Sequence, residues 1–403
     1  MQTRLPAALL NTPEGQEANR ILRSCVHCGF CTATCPTYQL TGNELDGPRG
    51  RIYLIKQLLE GAPADERTQH HLDRCLTCRS CETTCPSGVE YGRLIDIGRH
   101  HANQAAPRSP AQRLLRKLIL HVLPDPQRFS RLLRLGQLAR PLLPPAWRNK
   151  LPARQTAGDW PPPRHARKII LLAGCAQAAA TPLTNAAAAR VFDQLDLSAL
   201  ISPSAGCCGA LAQHLDDGDS ARAAARRNID AWWPLIEEGA EAIVGSASGC
   251  TLMLKDYAHL LADDPVYASR ANRIGSLVRD LAEVLSDHNL SGLARHREQP
   301  LAVHVPCTLQ HGQQQPDLLP DLLRRAGYTL VPVADAHLCC GSAGSYSILQ
   351  PALSGTLRDN KLAALTQANP GRIVTANVGC QLHLASGARQ PVQHWIELFD
   401  PAG

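Results

Sequence analysis

Sixteen cysteines punctuate the 403-residue chain, and eight of them fall in two runs of identical spacing. The first is Cys25-Val-His-Cys28-Gly-Phe-Cys31-Thr-Ala-Thr-Cys35-Pro36, and the second runs in the same register from Cys75 through Cys78, Cys81 and Cys85 to Pro86. Both read C-x2-C-x2-C-x3-C-P, the spacing that holds [4Fe–4S] clusters, in which three cysteines serve one cubane and the fourth serves its neighbour. Three thiolates in a tight loop reach three iron corners of one face, so the fourth corner needs a ligand from elsewhere. Pro36 and Pro86 turn the backbone away and remove an N–H that would otherwise need a partner. The expected sets are Cys25, Cys28, Cys31 and Cys85 for one cluster, and Cys75, Cys78, Cys81 and Cys35 for the other. Paired zinc knuckles are the competing chemistry, but zinc has no use for the third cysteine of each run or for the reciprocal fourth.

The other eight cysteines form a repeat. Cys175, Cys207-Cys208-Gly209 and Cys250 are answered by Cys307, Cys339-Cys340-Gly341 and Cys380, at an offset of 132 residues that becomes 130 at the last pair. Short apolar runs at 168–173 and 301–305 end just before the first cysteine of each unit, and those at 241–244 and 372–375 precede Cys250 and Cys380. Helix-forming sequence at 185–195, 219–237 and 318–326 lies between them. This βα alternation predicts mostly parallel sheets with ligands beyond the carboxyl ends of the strands, where the cysteines sit. Adjacent cysteines do not easily take one corner each of a cubane, but they can bind different irons of an open or irregular cluster. Gly209 and Gly341 let the backbone come close.

The N-terminal hundred residues must position the first eight thiols, and nothing in them alternates like a strand. Helical spacing covers 14–24, 49–60, 65–74 and 92–102, with Gly61-Ala62-Pro63 as a stop. Arg49 and Arg51 lie between the motifs, either against anionic clusters or a partner, or in a solvated turn and helix start. From 107 the character changes: Arg113, Arg116, Lys117, Arg128, Arg131, Arg134, Arg140, Arg148 and Lys150 face the single acid Asp125, with leucines between them. Two basic amphipathic helices, 113–123 and 128–138, suit an anionic membrane surface, an acidic partner or packing on the chain itself. The expected division is an all-α two-cluster domain over 1–105, a basic helical linker over 106–165, and two α/β cysteine-rich units over 166–290 and 291–403. The net charge of +6 is too small to argue for nucleic acid. Neither a secretory signal nor an apolar run long enough to span a bilayer is present, so reduced, metal-bound thiols in the cytoplasm are expected. There is no glycine-rich dinucleotide fingerprint and no Ser-His-Asp set.

The two cysteine architectures together resemble a known family: tandem CCG-domain proteins related to the heterodisulfide reductase B subunit, joined to an α-helical two-cluster ferredoxin domain. Within it the arrangement is similar to the iron–sulfur subunits of glycolate oxidases, with the C subunits of anaerobic glycerol-3-phosphate dehydrogenases and the lactate-utilisation iron–sulfur proteins as relatives. The resemblance implies an electron-transfer subunit of an oxidoreductase. A partner carrying FAD would oxidise glycolate to glyoxylate, and electrons would pass singly through the clusters to a quinone or another carrier; the basic helices, in their membrane reading, add peripheral contact at the inner face of the cell membrane. Relays for glycerol-3-phosphate or lactate, a heterodisulfide-reductase-like enzyme and a metal-stabilised scaffold are the alternatives. One departure stands out: the reductase unit ends in C-x2-C, whereas this chain has Cys250-Thr-Leu-Met253 and Cys380-Gln-Leu-His383. His383 could replace a thiolate, since imidazole ligates iron, or be an ordinary helix residue; Met253 is a poorer substitute. Three arrangements stay open: a four-thiolate cluster in each repeat, a cluster in one only, or bare thiols at a quinone or partner site.

Overall fold

The computed structural model describes all residues except 64, 145–147, 149 and 403. In the N-terminal part four helices, Pro13–Ser24, Pro48–Leu59, Glu66–Asp73 and Tyr91–Ala105, enclose the two cysteine loops. Local chemistry sets their starts. The Thr12 side chain accepts from Gly15 N–H with Pro13 at the first helical position, and Asp65 accepts from Thr68 N–H. Their apolar faces meet in a core of Ile21, Leu22, Ile52, Ile55, Leu72, Leu94 and Ile95. Gly98 lets two of them cross closely, since a Cβ there would stand 2.5 Å from Ile55. This part holds no strand among the described residues.

Each cysteine loop needs a left-handed residue before its short helix. In the first loop Gly29 supplies it at φ 87°; in the second the equivalent residue is Arg79 at φ 60°. A side chain there is strained. Arg79 is held by an ion pair of 3.2 Å to Asp256, which lies far along the chain.

Two further helices follow, Pro110–Val122 and Pro126–Ala139, capped by Ser109 and Asp125. Beyond the linker, β1 (Arg167–Leu171), β2 (Leu197–Leu200), β3 (Ile243–Gly245) and β4 (Val278–Asp280) form an all-parallel sheet in the order β2-β1-β3-β4. A second parallel sheet runs β5-β6-β7, from Leu301–His304, Arg372–Thr375 and Val392–His394. Where β2 would recur, a single parallel bridge joins Leu301 to Leu330.

The two repeats share one hydrophobic core, which includes Ile169, Leu171, Phe192 and Leu197 from the first and Leu301, Val374, Trp395 and Phe399 from the second. The chain's last turn, Trp395–Phe399, returns to helix Pro182–Asp193 of the first repeat. There Arg190 pairs with Asp400 at 2.6 Å, Thr184 Oγ1 donates to Glu397 at 2.7 Å, and His394 Nε2 lies 2.8 Å from Ser246 O. No described helix is long and apolar enough to cross a membrane.

Candidate metal centres

Cys25 follows the end of the first long helix, and Cys28, Cys31 and Cys85 join it around a hollow of about 420 Å³ that Arg49, Ile52 and Tyr91 also line. A second hollow of about 290 Å³ is lined by Cys35, Cys75, Cys78 and Cys81, with Arg51 and Tyr91. The fold thus brings each fourth cysteine across to the other trio. Cys81, Pro48 and Tyr91 line both hollows, so the two share a wall.

The donor chemistry of these hollows fits iron–sulfur clusters. All sixteen cysteines are free. Burial, and then Cys25 and Cys28, push the Cys31 thiol up to about 11; burial and neighbouring thiols push Cys78 and Cys81 well above the ordinary value. Thiols gathered where each opposes the other's ionisation call for a cationic core between them. Both arginines of the intervening segment face this need. Arg51 is fully buried; its Nε donates to His71 O at 2.7 Å and its guanidinium reaches Thr37 Oγ1 at 3.2 Å and Asp46 at 3.8 Å. Asp46 in turn accepts from Arg74 at 2.7 Å and lies 2.8 Å from His71 Nδ1, tying the two motifs together. Hydrogen bonds also reach sulfur, from Thr77 N–H to Cys75 at 3.4 Å and from the Tyr91 hydroxyl to Cys75 at 3.7 Å. Such bonds tune a cluster's potential.

In the first repeat Cys175 follows β1, Cys207-Cys208 lie between β2 and the next helix, and Cys250 sits in helix Ser248–Lys255 after β3. Their thiols form a chain of contacts, Cys175 to Cys207 to Cys208 to Cys250. Hydrogen bonds from Cys175 and Cys208 hold the Cys207 thiol well below its ordinary value, while Cys175 and Cys208 are pushed up by that same contact and by burial. The second repeat has the same chain: Cys307 Sγ lies 4.0 Å from Cys339 Sγ, which contacts Cys340, which contacts Cys380. Gly341, at φ 88°, brings the backbone so close that a Cβ would meet Ser354 O at 2.7 Å. Both repeats therefore gather four thiols at the carboxyl ends of their strands.

The two residues replacing the missing final cysteines stay out of these groups. Met253 is buried in the apolar core of the first repeat. His383 turns to Ser354, with Nε2 at 3.2 Å from both its hydroxyl and its carbonyl oxygen. Another histidine, passed over in the sequence reading, takes the position near sulfur. A ring nitrogen of His304 and the Sγ atoms of Cys340 and Cys380 lie within 4.8 Å of one another. Burial, with Lys361 nearby, pushes His304 down to about 3, so its imidazole is neutral. The only sequence signal for it was its place at the end of an apolar run, just before Cys307.

The second N-terminal hollow abuts the second repeat. Cys78 and Cys307 pack with Leu76, Cys339 and Tyr346, and Cys78 feels the charge of Cys307. Thr83 Oγ1 lies 2.9 Å from His311 Nδ1, and the Tyr346 hydroxyl donates to Arg74 O at 3.2 Å. The first repeat grips the N-terminal part elsewhere, through Asp256 to Arg93 at 2.8 Å and Asp216 to Asn103 at 2.7 Å.

Comparison with known proteins agrees with this layout. Residues 21–89 match the 4Fe-4S dicluster domain, and residues 169–255 and 301–385 match the cysteine-rich domain. The glycolate oxidase iron-sulfur subunit of Escherichia coli strain K12 is 52% identical over 403 residues, covering 100% of this chain and 99% of that protein. The probable glycolate oxidase iron-sulfur subunit of Bacillus subtilis strain 168 is 32% identical across 91% of this chain and 89% of its own length. A lactate utilization protein A from Exiguobacterium is 24% identical over 54% of this chain and 88% of that protein. Among solved structures, a hypothetical protein from Helicobacter pylori covers 98% of this chain with 73% of its own, at a TM-score of 0.58 and 10% identity, which speaks to the fold alone. With both cysteine architectures matched in order and a relative half identical from end to end, the chain belongs to the family of glycolate oxidase iron–sulfur subunits.

Proposed function

We propose that this chain is the electron relay of a flavin-dependent 2-hydroxyacid dehydrogenase complex that oxidises glycolate to glyoxylate. Oxidising an alcohol to a carbonyl delivers two electrons, typically as a hydride, which neither a one-electron cluster nor an amino-acid side chain accepts. The substrate therefore binds an FAD-containing partner subunit. When bound, the clusters supply one-electron chemistry, and the protein sets their position and potential. Cys25, Cys28, Cys31 and Cys85 hold one cluster, and Cys75, Cys78, Cys81 and Cys35 hold the other; the thiol groups at 175–250 and 307–380 hold further ones. The observation that carries this reading is the unbroken row of thiols. The two N-terminal hollows share Cys81, and Cys78 stands against Cys307 and Cys339.

Around the first hollow Cys28 is exposed, with Val26, Phe30 and Tyr53 exposed near it, an apolar rim at which the flavoprotein docks. Elsewhere on the surface, the exposed leucines of helices Pro110–Val122 and Pro126–Ala139, set among exposed basic side chains, support peripheral contact with the inner face of the cell membrane and delivery of electrons to a quinone or another carrier there.

The test compares the isolated chain with the assembled complex. The chain alone should oxidise neither glycolate nor lactate, whereas the complex should reduce a quinone analogue when given glycolate. In rapid mixing, Cys78→Ser in the complex should leave flavin reduction intact and abolish reduction of the acceptor. Turnover by the flavin-free chain, or full acceptor reduction by the variant, would overturn the relay assignment.

A further inference from the structure

The two repeats are built alike, yet their thiol groups do not face the same surroundings. His304 closes β5 and is 3% exposed, with a ring nitrogen close to both Cys340 and Cys380. At the same offset as the cysteines, 132 residues earlier, the first repeat carries Leu172, a buried member of its apolar core. The imidazole is also oriented. Its Nδ1 lies 2.9 Å from Thr375 Oγ1, and Thr375 is the β6 residue paired with His304 in the sheet register. A histidine that ligates a metal through one nitrogen is fixed in the same way, its other ring N–H engaged by a neighbouring acceptor. The first repeat cannot copy this device, because Gly245 stands where Thr375 does, 130 residues earlier.

We propose that His304 is a nitrogen ligand of the second repeat's cluster, completing the donor set His304, Cys307, Cys339, Cys340 and Cys380, while the first repeat's set remains all-thiolate. This rests on the reading that the second repeat holds an iron–sulfur cluster. With Nδ1–H donating to Thr375 Oγ1, the lone pair on Nε2 is free for iron. Ligation forms one Fe–N bond, displaces no proton and changes no oxidation state. The histidine so stands in for the thiolate that the shortened motif lacks.

A neutral nitrogen in place of an anionic thiolate raises a cluster's potential, as it does where histidines replace cysteines on one iron of a two-iron centre. The buried Lys361, whose Nζ donates to Asp335 O at 2.8 Å, lies near enough to Cys339 and Cys340 to work in the same direction. Since Cys78 abuts Cys307, electrons leaving the second N-terminal hollow meet a centre tuned to receive them. The first repeat has a cation of its own, Arg227, whose Nη2 donates to Cys207 O at 3.0 Å, so the branch that the proposal assigns rests on the histidine alone.

The test uses the full chain, assembled anaerobically with iron and sulfide and prepared with either natural-abundance or ¹⁵N-labelled histidine. Pulsed EPR should show one strongly coupled nitrogen that changes character with the label. It should vanish in His304→Leu, which copies the first repeat, and persist in His383→Leu. His304→Cys should keep the iron content, lose the nitrogen coupling and shift the midpoint potential of that centre downward, which guards against a variant that merely unfolds. If Cys340→Ser and Cys380→Ser change neither iron content nor spectrum, the second repeat holds no cluster, and the underlying reading falls together with this one. If those variants do lose iron but no strongly coupled nitrogen depends on His304, the ligand assignment alone is overturned.

Discussion

Cys85 ends the second motif, yet its thiol lines the hollow of the first, and Cys35 makes the opposite crossing. The signal lost in Cys85→Ser is therefore expected to be the one lost in Cys28→Ser and to differ from the one lost in Cys78→Ser. Redox-titrated EPR of the three reduced variants separates the cases, and loss of the same signal in Cys85→Ser and Cys78→Ser would mean that each motif serves a single cluster. This pairing was legible in the spacing, because a cubane's four corners and a loop's reach leave few other solutions. Other residues were illegible for an equally physical reason. Arg79 can adopt a left-handed conformation because Asp256 reaches it across 177 positions, and His304 nears sulfur only because β5 and β6 lie side by side. His383 looked better placed in the sequence, but a nearby helix supplies Ser354 and takes it up.

At the scale of elements, the basic helices have two unlike faces. Arg116 turns inward to Asp73 at 3.1 Å, beside Arg108, and Ile119 and Leu133 are buried. The inner face is thus packed on the chain itself, one of the alternatives that the sequence left for these helices. The outer face keeps Arg113, Lys117, Arg131 and Arg134 beside Leu114, Leu118, Leu132 and Leu135, all exposed. Each outward cation near an anionic surface contributes about 1 kcal/mol, so replacing those four by Gln should weaken binding to anionic vesicles on the order of a thousandfold. Added salt should imitate the change, as it shortens the roughly 10 Å reach of these charges, and the iron content should not move. Cosedimentation of the assembled complex reads this directly. A variant that stays on vesicles but loses its flavoprotein would make the segment a subunit interface. The amphipathic helices were readable from spacing, as were β1, β3, β5 and β6. The remaining strands, β2, β4 and β7, were not, since Leu-Ser-Ala-Leu, Val-Arg-Asp and Val-Gln-His interrupt their apolar residues with polar ones and make no continuous apolar run.

For the whole molecule, the repeats expected to be separate units at 166–290 and 291–403 share a core, and the junction carries a titratable group. Glu397 has its ordinary carboxyl value of 4.5 pushed up to about 7, chiefly by burial, despite the hydrogen bond from Thr184. Between those values the folded chain holds a proton that the unfolded chain has released, so stability falls as pH rises through the window and the loss is complete above it. Glu397→Gln should flatten that slope and raise stability above the window by on the order of 2–3 kcal/mol. Thermal unfolding of the iron-loaded chain on either side of the window measures it, and an unchanged slope would separate Glu397 from the effect. The same junction orders events during synthesis. Ribosomes deliver the segment from Trp395 to Asp400 after every cysteine, yet it covers helix Pro182–Asp193, whose Asn185 side chain donates to Leu172 O and Ala173 O just before Cys175. The second N-terminal motif thus waits for Asp256 to reach Arg79, and Cys175, Cys207, Cys208 and Cys250 wait longer, in an unfinished fold open to oxidants, until the entire second repeat has emerged.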